Sequence, residues 1–154
     1  MKVEIQYVNS PEEECATLRV CKDHNGIIKL QEIIEKNSYQ TMTISCFQQE
    51  KIYSISCDHI LYFETVQEML LVHTGSKVYE ANKRLYELEE ILPEQFARIS
   101  RSVIINLNQV EYYSPLANGL MKATFYNGED EFISRKYLKL LRAKIGGKNH
   151  DKGR

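Results

Sequence analysis

"QFARISRSVIINLNQVEYY", residues 95–113, sets a β-branched apolar run, Val103-Ile104-Ile105, between polar clusters that hold two arginines, two serines and two asparagines. A short apolar run bounded by turn formers is the pattern of a buried strand. The run therefore reads as an anchor, and Ser100-Arg101-Ser102 as an exposed turn that it holds rigid. An arginine at the mouth of a buried strand needs a reason, and Arg101 is better placed to touch a ligand than to support the core. Asn106 and Asn108 read as turn formers, Tyr112 and Tyr113 as sheet packing.

Outward from this stretch the chain is mostly short strands. "TMTISCF" and "KIYSIS" are joined by the polar turn "QQE", "HILYFET" follows Cys57-Asp58, and "EMLLVHT" turns at Gly75-Ser76 into "KVYEA". That spacing predicts hairpins. Between Asn82 and Leu92 the apolar period becomes helical through Leu85, Leu88, Ile91 and Leu92, and Pro93 stops it by withholding a backbone donor. Strands then resume up to "LMKATFY" and "EDEFIS", with Asn127-Gly128 between them predicting a type I′ hairpin. The last element is a helix from Arg135 to about Lys144. Ser134 is placed to cap it, Leu138, Leu141 and Ile145 form its apolar stripe, and Gly146-Gly147 offers a left-handed end. Its polar face is basic, with Arg135, Lys136, Lys139, Arg142 and Lys144.

Residues 1–38 read as a small ββα unit. "KVEIQYV" and "ATLRVC" alternate as strands around "NSPEEE", and after Asn25-Gly26 the residues Ile27, Leu30 and Ile34 line a helical face that ends at Asn37-Ser38. So small a unit cannot hide its own apolar stripe. The rest of the chain or a second copy is needed to cover it, and the unit is expected to be a dimerisation or regulatory segment. Residues 39–147 then form the main domain and 148–154 a disordered tail.

Composition narrows the function. Residues 1–92 carry 9 basic and 15 acidic side chains, a balance of −6, whereas residues 93–154 carry 11 basic and 6 acidic, a balance of +5. A localised positive field favours a polyanionic partner. No apolar run approaches the roughly 18 to 20 residues of a membrane span, and "VEIQYV" is not a signal peptide's apolar block, so a cytoplasmic protein without membrane insertion is expected. Cys15, Cys21, Cys46 and Cys57 lack a CxxC pair and read as buried free thiols. His24, His59, His73 and His150 fall in no metal or triad spacing, and no phosphate-cradling loop occurs among seven glycines. Asp58 and Glu64, flanking one strand, read as a turn cap and a strand-end charge. Neither enzyme activity nor a cofactor is expected.

Ile60-Leu61-Tyr62-Phe63-Glu64, then Phe96-Ala97-Arg98-Ile99-Ser100-Arg101-Ser102-Val103-Ile104-Ile105-Asn106, Asn108 with Val110, and Ser134-Arg135-Lys136-Tyr137 follow one another in the order and spacing of a known pattern. Over about residues 42–145 the chain resembles the LytTR family of bacterial DNA-binding domains. The resemblance implies a mainly β fold with a few short helices, in which about ten short strands form stacked antiparallel sheets. It implies docking on double-stranded promoter DNA, at repeated sites, through loops that enter successive major grooves. The positions carried over are the loop after Glu64, with Gln67 and Glu68, the turn Ser100, Arg101 and Ser102, and the turn at Arg135 and Lys136.

Arginine can read guanine bidentately or clamp a phosphate, and Lys136 opens a helix, where anions are favoured. Glu68 would repel phosphate but can accept from cytosine N4. Where the family commonly has histidine this chain has Ser100, a smaller and adaptable hydroxyl. About 40 residues ahead of the domain are too few for the receiver domain of many members, so the likeness is to the stand-alone type. Such proteins often sit beside a small membrane protein in their operon, and a functional link to one is expected. The function read is that of a sequence-specific transcriptional regulator, acting as a homodimer. The other readings are a protein-interaction module whose basic face binds an acidic partner, and a single-stranded nucleic-acid binder using ten tyrosines as stacking platforms.

Overall fold

Two strands, Ile60–Val66 and Val103–Asn106, lie side by side with almost every apolar side chain out of water. In the computed structural model, which describes residues 2–21, 26–35 and 42–146, they run through the middle of the larger of two sheets. The chain divides into two units, residues 1–40 and 41–154.

In the second unit β1 (Thr43–Gln48), β2 (Lys51–Ser56), β3 (Ile60–Val66), β4 (Met69–Thr74), β5 (Val78–Ala81), β6 (Phe96–Arg98) and β7 (Val103–Asn106) form an antiparallel seven-stranded sheet in the order β2-β1-β5-β4-β3-β7-β6. β8 (Val110–Pro115), β9 (Met121–Phe125) and β10 (Asp130–Ile133) form a second sheet in the order β10-β9-β8. Two helices complete it, α2 (Leu85–Ile91) after β5 and α3 (Arg135–Gly146) after β10. The expected stack of antiparallel sheets with ten short strands is present.

At β3 and β7 the large sheet is buried on both faces, and each face has its own core. Ile44, Cys46, Ile60, Phe63, Val72, Phe96 and Ile104 pack with Leu85 and Leu88 of α2. Leu61, Tyr62, Ile99, Val103 and Ile105 pack with Phe125 and Ile133 of the small sheet and with Leu138 and Leu141 of α3. A strand wet on one side alternates polar with apolar; β7 contributes Ile104 to one core and its neighbours Val103 and Ile105 to the other, which is why the run does not alternate. A register shift between Ile60 and Tyr62 lets Leu61 and Tyr62 join the same core. Each such side chain stabilises the fold by about 1.5–3 kcal/mol relative to exposure.

Asn106 is fully buried and its amide is satisfied. Its Nδ2 donates to the carbonyls of Cys57, at 3.2 Å, and Ile60, at 2.9 Å, while its Oδ1 accepts from the Asn108 N–H at 3.1 Å. It is therefore a cross-link between two turns as well as a turn former.

Several expectations need correction. The β9–β10 turn is not type I′: only Gly128 is left-handed, its N–H donates to Phe125 O, and Asn127 Oδ1 accepts from the Glu129 N–H. Glycine's tolerance of positive φ also suits a type I turn followed by a bulge. The paired left-handed residues occur instead at Gln49-Glu50, with φ of 49° and 62°, and at Gln67-Glu68, with 48° and 66°. The Ser134 hydroxyl makes no hydrogen bond with the described residues; the Ser134 carbonyl, accepting from the Tyr137 N–H at 2.9 Å, closes the first turn of α3.

In the first unit α1 (Ile27–Glu35) forms as expected, but the two preceding strands do not: the described residues from 2 to 21 join no ladder and contain one 3-10 turn, Pro11–Glu13. An isolated hairpin is marginal in water without a surface to pack on. No described residue of this unit is buried, and Val3, Ile5, Tyr7 and Ile28 are strongly exposed. Cys46 and Cys57 are buried free thiols, pushed up to about 11 by burial, whereas Cys15 and Cys21 are exposed, contrary to expectation. Asn37 and Ser38 and the tail beyond Gly146 lie outside the described residues.

Candidate nucleic-acid interface

Three loops meet along one edge of the second unit, and backbone hydrogen bonds join them. The Thr65 N–H, at the end of β3, donates to Ser102 O at 2.8 Å, and the Ser134 N–H, just before α3, donates to Ile99 O at 2.9 Å. The β6–β7 loop therefore lies between the β3–β4 turn and the start of α3. Gln67 and Glu68 lie on the first of these loops, Ser100, Arg101 and Ser102 on the second, and Arg135 and Lys136 open α3 just after the third.

The β6–β7 loop is built around Arg98. Its Nε donates to Ser100 O at 3.0 Å, one Nη to Arg101 O at 2.6 Å and the other to Glu89 Oε2 of α2 at 2.8 Å. One planar fork thus fixes two successive carbonyls of the loop to a helix. The Ser100 hydroxyl accepts from the Ser102 N–H at 3.2 Å and lies 3.4 Å from the Ser102 hydroxyl, so it shapes the loop from within. With its carbonyl held this way, the Arg101 side chain is exposed and has no ion pair with any described residue.

On the flanking loops, Gln67 and Glu68 are exposed at the tip of a two-residue turn closed by the Val66–Met69 pair. Lys136 is exposed, forms no ion pair with described residues, and has its Nζ 5.6 Å from the centre of the Tyr137 ring. Arg135 is partly occupied, since its Nη2 donates to Asn118 O at 2.7 Å and ties the β8–β9 loop to α3. Lys144, at the other end of the helix, donates to Phe96 O at 2.7 Å on the edge strand β6.

Beneath the β3–β4 turn sits a cluster of titratable groups. Glu64 Oε2 lies 3.2 Å from His73 Nε2, yet that nitrogen has no well-directed hydrogen bond, so the contact is one of charge and proximity. The His73 ring stacks on Tyr62 with centroids 4.0 Å apart, and Tyr62 stacks on Phe125. Burial lowers the His73 pKa against the pull of Glu64 and Glu129. Burial, helped by Glu64 and Glu129, pushes the Glu131 carboxyl up to about 7. These groups hold the small sheet against β3 and β4, and no expected contact residue is among them.

Sequence reasoning missed Arg98 as the organiser of the loop. Its position, the last of a strand and two and three residues ahead of the carbonyls it binds, is the signal that could have marked it. Of the described tyrosines, Tyr62 and Tyr79 are buried in different cores and Tyr113 is half-buried, while Tyr7, Tyr86, Tyr112 and Tyr126 are exposed. Fewer rings are therefore open to stacking than the single-strand reading counts on.

The family model of the LytTr DNA-binding domain matches residues 50–146. The chain belongs to the LytTR family. Uncharacterized HTH-type transcriptional regulators of Staphylococcus aureus strains NCTC 8325 and MRSA252 are 28% and 27% identical to it over 103 residues, 67% of this chain and 70% of each relative. Among solved structures, the LytTr DNA-binding domain of a Bacillus cereus protein superposes with a TM-score of 0.66 and 21% identity, covering 70% of this chain and 99% of that one. That likeness carries the fold. The LytTR domain of this chain is a DNA-binding domain, a class that is not enzymatic. Among its described residues no helix is long and apolar enough to cross a membrane. Nor do two of its helices stand in succession, since five strands separate α2 from α3.

Proposed function

We propose that this chain is a sequence-specific transcriptional regulator whose LytTR domain docks on duplex DNA through the β3–β4 turn, the β6–β7 loop and the turn before α3. The observation that carries the reading is the pair of backbone hydrogen bonds, Thr65 N–H to Ser102 O and Ser134 N–H to Ile99 O, that join three loops, with Arg101 and Lys136 free of ion pairs to described residues. A helix-turn-helix is not available among the described residues, so the reading elements are loops. Arg101 reads a base edge, Lys136 holds a phosphate, and Ser102 and Arg135 support them. Gln67 and Glu68 approach a base edge from the third loop, with Glu68 accepting from cytosine N4.

The test is binding of the full chain to duplex DNA from its own promoter, followed by fluorescence anisotropy. Arg101→Ala costs about 1–3 kcal/mol and relaxes sequence preference, whereas Lys136→Ala weakens all sequences alike and lowers the salt slope by about 1. Unchanged binding in both variants would remove the site assignment.

The first unit supplies dimerisation in this reading. None of its described residues is buried, and a second copy covers the apolar side chains Val3, Ile5, Tyr7 and Ile28. Two half-sites on the DNA follow from a two-fold protein. Light scattering of the full chain at tens of micromolar reports the state directly, and a monomer there would end this part of the proposal. A functional link to a small membrane protein belongs to the same reading, with a cytoplasmic location as its corollary.

A further inference from the structure

Beside the Arg101 loop, an open cleft of about 460 Å³ is lined by Thr65, Arg84, Leu85, Tyr86, Arg98, Arg101 and Ser102. Three arginines share it, and they differ in what they are free to do. Arg98 is fully committed to Glu89, Ser100 O and Arg101 O. Arg84 and Arg101 are exposed, and neither guanidinium has an ion pair or side-chain hydrogen bond with a described residue.

The backbone of Arg84 is nonetheless fixed. Its N–H donates to Glu87 Oε2 at 2.7 Å, and the next residue, Leu85, is buried in the core under α2. The Glu87 carboxylate, the nearest acidic group in sequence, is thus engaged with the main chain. Elsewhere in the lining, the Thr65–Ser102 hydrogen bond and the Arg98 fork fix the β6–β7 loop. Two arginines without ion pairs line one cleft whose lining holds no acidic side chain, and that makes it a site for an anion. The Arg84 guanidinium fork suits a tetrahedral oxyanion, which it can meet with two parallel N–H donors, while Arg101 adds its positive charge to the same cleft and keeps its own donors for a base edge.

We propose that the cleft between Arg84 and Arg101 seats a phosphate of the DNA backbone, which makes Arg84 a contact outside the three loops. The inference rests on the duplex-DNA reading above. It puts the phosphate next to the loop that carries Arg101, so Arg84 sets how deeply that loop enters its groove and takes no part in choosing the base.

The experiment is the salt dependence of anisotropy for the full chain, on a duplex from its own promoter and on a scrambled duplex of the same length. Arg84→Ala is expected to weaken both duplexes by about tenfold and to lower the slope of log affinity against log salt by about 1. Arg84→Lys keeps the slope and recovers part of the affinity. The melting temperature of both variants stays that of the wild type, because the guanidinium holds nothing in the fold. If the wild type binds and Arg84→Ala keeps its slope, the cleft assignment is overturned and the loop reading stands. A loss confined to the promoter duplex overturns it too, since that is the signature of a base contact. If the wild type itself binds neither duplex at low salt, the DNA reading falls and the cleft assignment with it.

Discussion

Arg98 and Arg101 carry the same guanidinium three positions apart, and the fold gives them opposite tasks. Arg98 donates inward to two loop carbonyls and a carboxylate, while the Arg101 side chain is exposed. Substitution should separate stability from binding. Arg98→Ala leaves two loop carbonyls without their donor, and is expected to cost about 1–3 kcal/mol in urea unfolding and to weaken DNA binding through a loosened loop. Arg98→Lys recovers little, because a point charge cannot reproduce the fork. Arg101→Ala should leave the urea midpoint unchanged and lose affinity alone. The same side chain in one loop motif cannot be sorted this way from sequence, since only the geometry says which of the two is already occupied.

Glu131 makes a second residue-scale prediction, of pH dependence. The folded chain keeps its proton up to about pH 7, whereas the unfolded chain releases it near 4.5. Between those values the folded state binds more protons. The contribution of this group is therefore complete below the unfolded pKa and is lost as pH rises through about 7. Glu131→Gln removes the loss, so the variant should gain on the wild type between pH 5 and pH 8, by on the order of 1 kcal/mol once solvent screening is allowed for. Urea midpoints of the two proteins at both pH values measure it. His73 has the opposite sign: its pKa is lowered, so its contribution is present above the unfolded value of 6.5 and is lost as pH falls through the folded one.

At the scale of elements, the β3–β4 hairpin holds Gln67 and Glu68 at positive φ, a region that costs a non-glycine residue on the order of 1 kcal/mol or more. Replacing the pair by Asn-Gly, the residues that such a turn prefers, should stabilise the chain by about 1–2 kcal/mol. A fall in the thermal midpoint would show that the turn gains something from these side chains. DNA affinity of the same variant tests whether Gln67 and Glu68 touch the duplex. Neither residue announces the turn, whereas Asn127-Gly128 announces a turn of the wrong type. Strands were legible because their apolar runs depend on burial, which sequence records. Turn geometry depends on the register that two strands reach by packing, which it does not. The N-terminal alternation at Val3, Ile5 and Tyr7 shows the same limit, because a strand pattern needs a surface to pair on before it becomes a strand.

For the whole domain, the decisive feature is that one strand serves two cores. Ile104 belongs to the core under α2, and Ile105, its neighbour, to the core under the small sheet and α3. If the two cores were separate in stability, each could melt while the other persisted, and loops drawn from both would lose their alignment one at a time. Shared strands prevent that, because β3 and β7 cannot leave one core without leaving the other. Ile104→Ala and Ile105→Ala are each expected to cost about 2–5 kcal/mol by opening a cavity on one face only. The slope of free energy against urea should nevertheless stay at the wild-type value, with far-ultraviolet dichroism and tyrosine fluorescence giving the same midpoint in each variant. A biphasic curve in either one would mean that the two faces unfold independently. The site sits on this joint: Arg98 ends β6, Val103 opens β7, and Thr65 of β3 is bonded to the loop between them. Destabilising either core should therefore lower DNA binding only to the extent that the whole domain unfolds, and affinity corrected for the folded fraction should match the wild type in both variants.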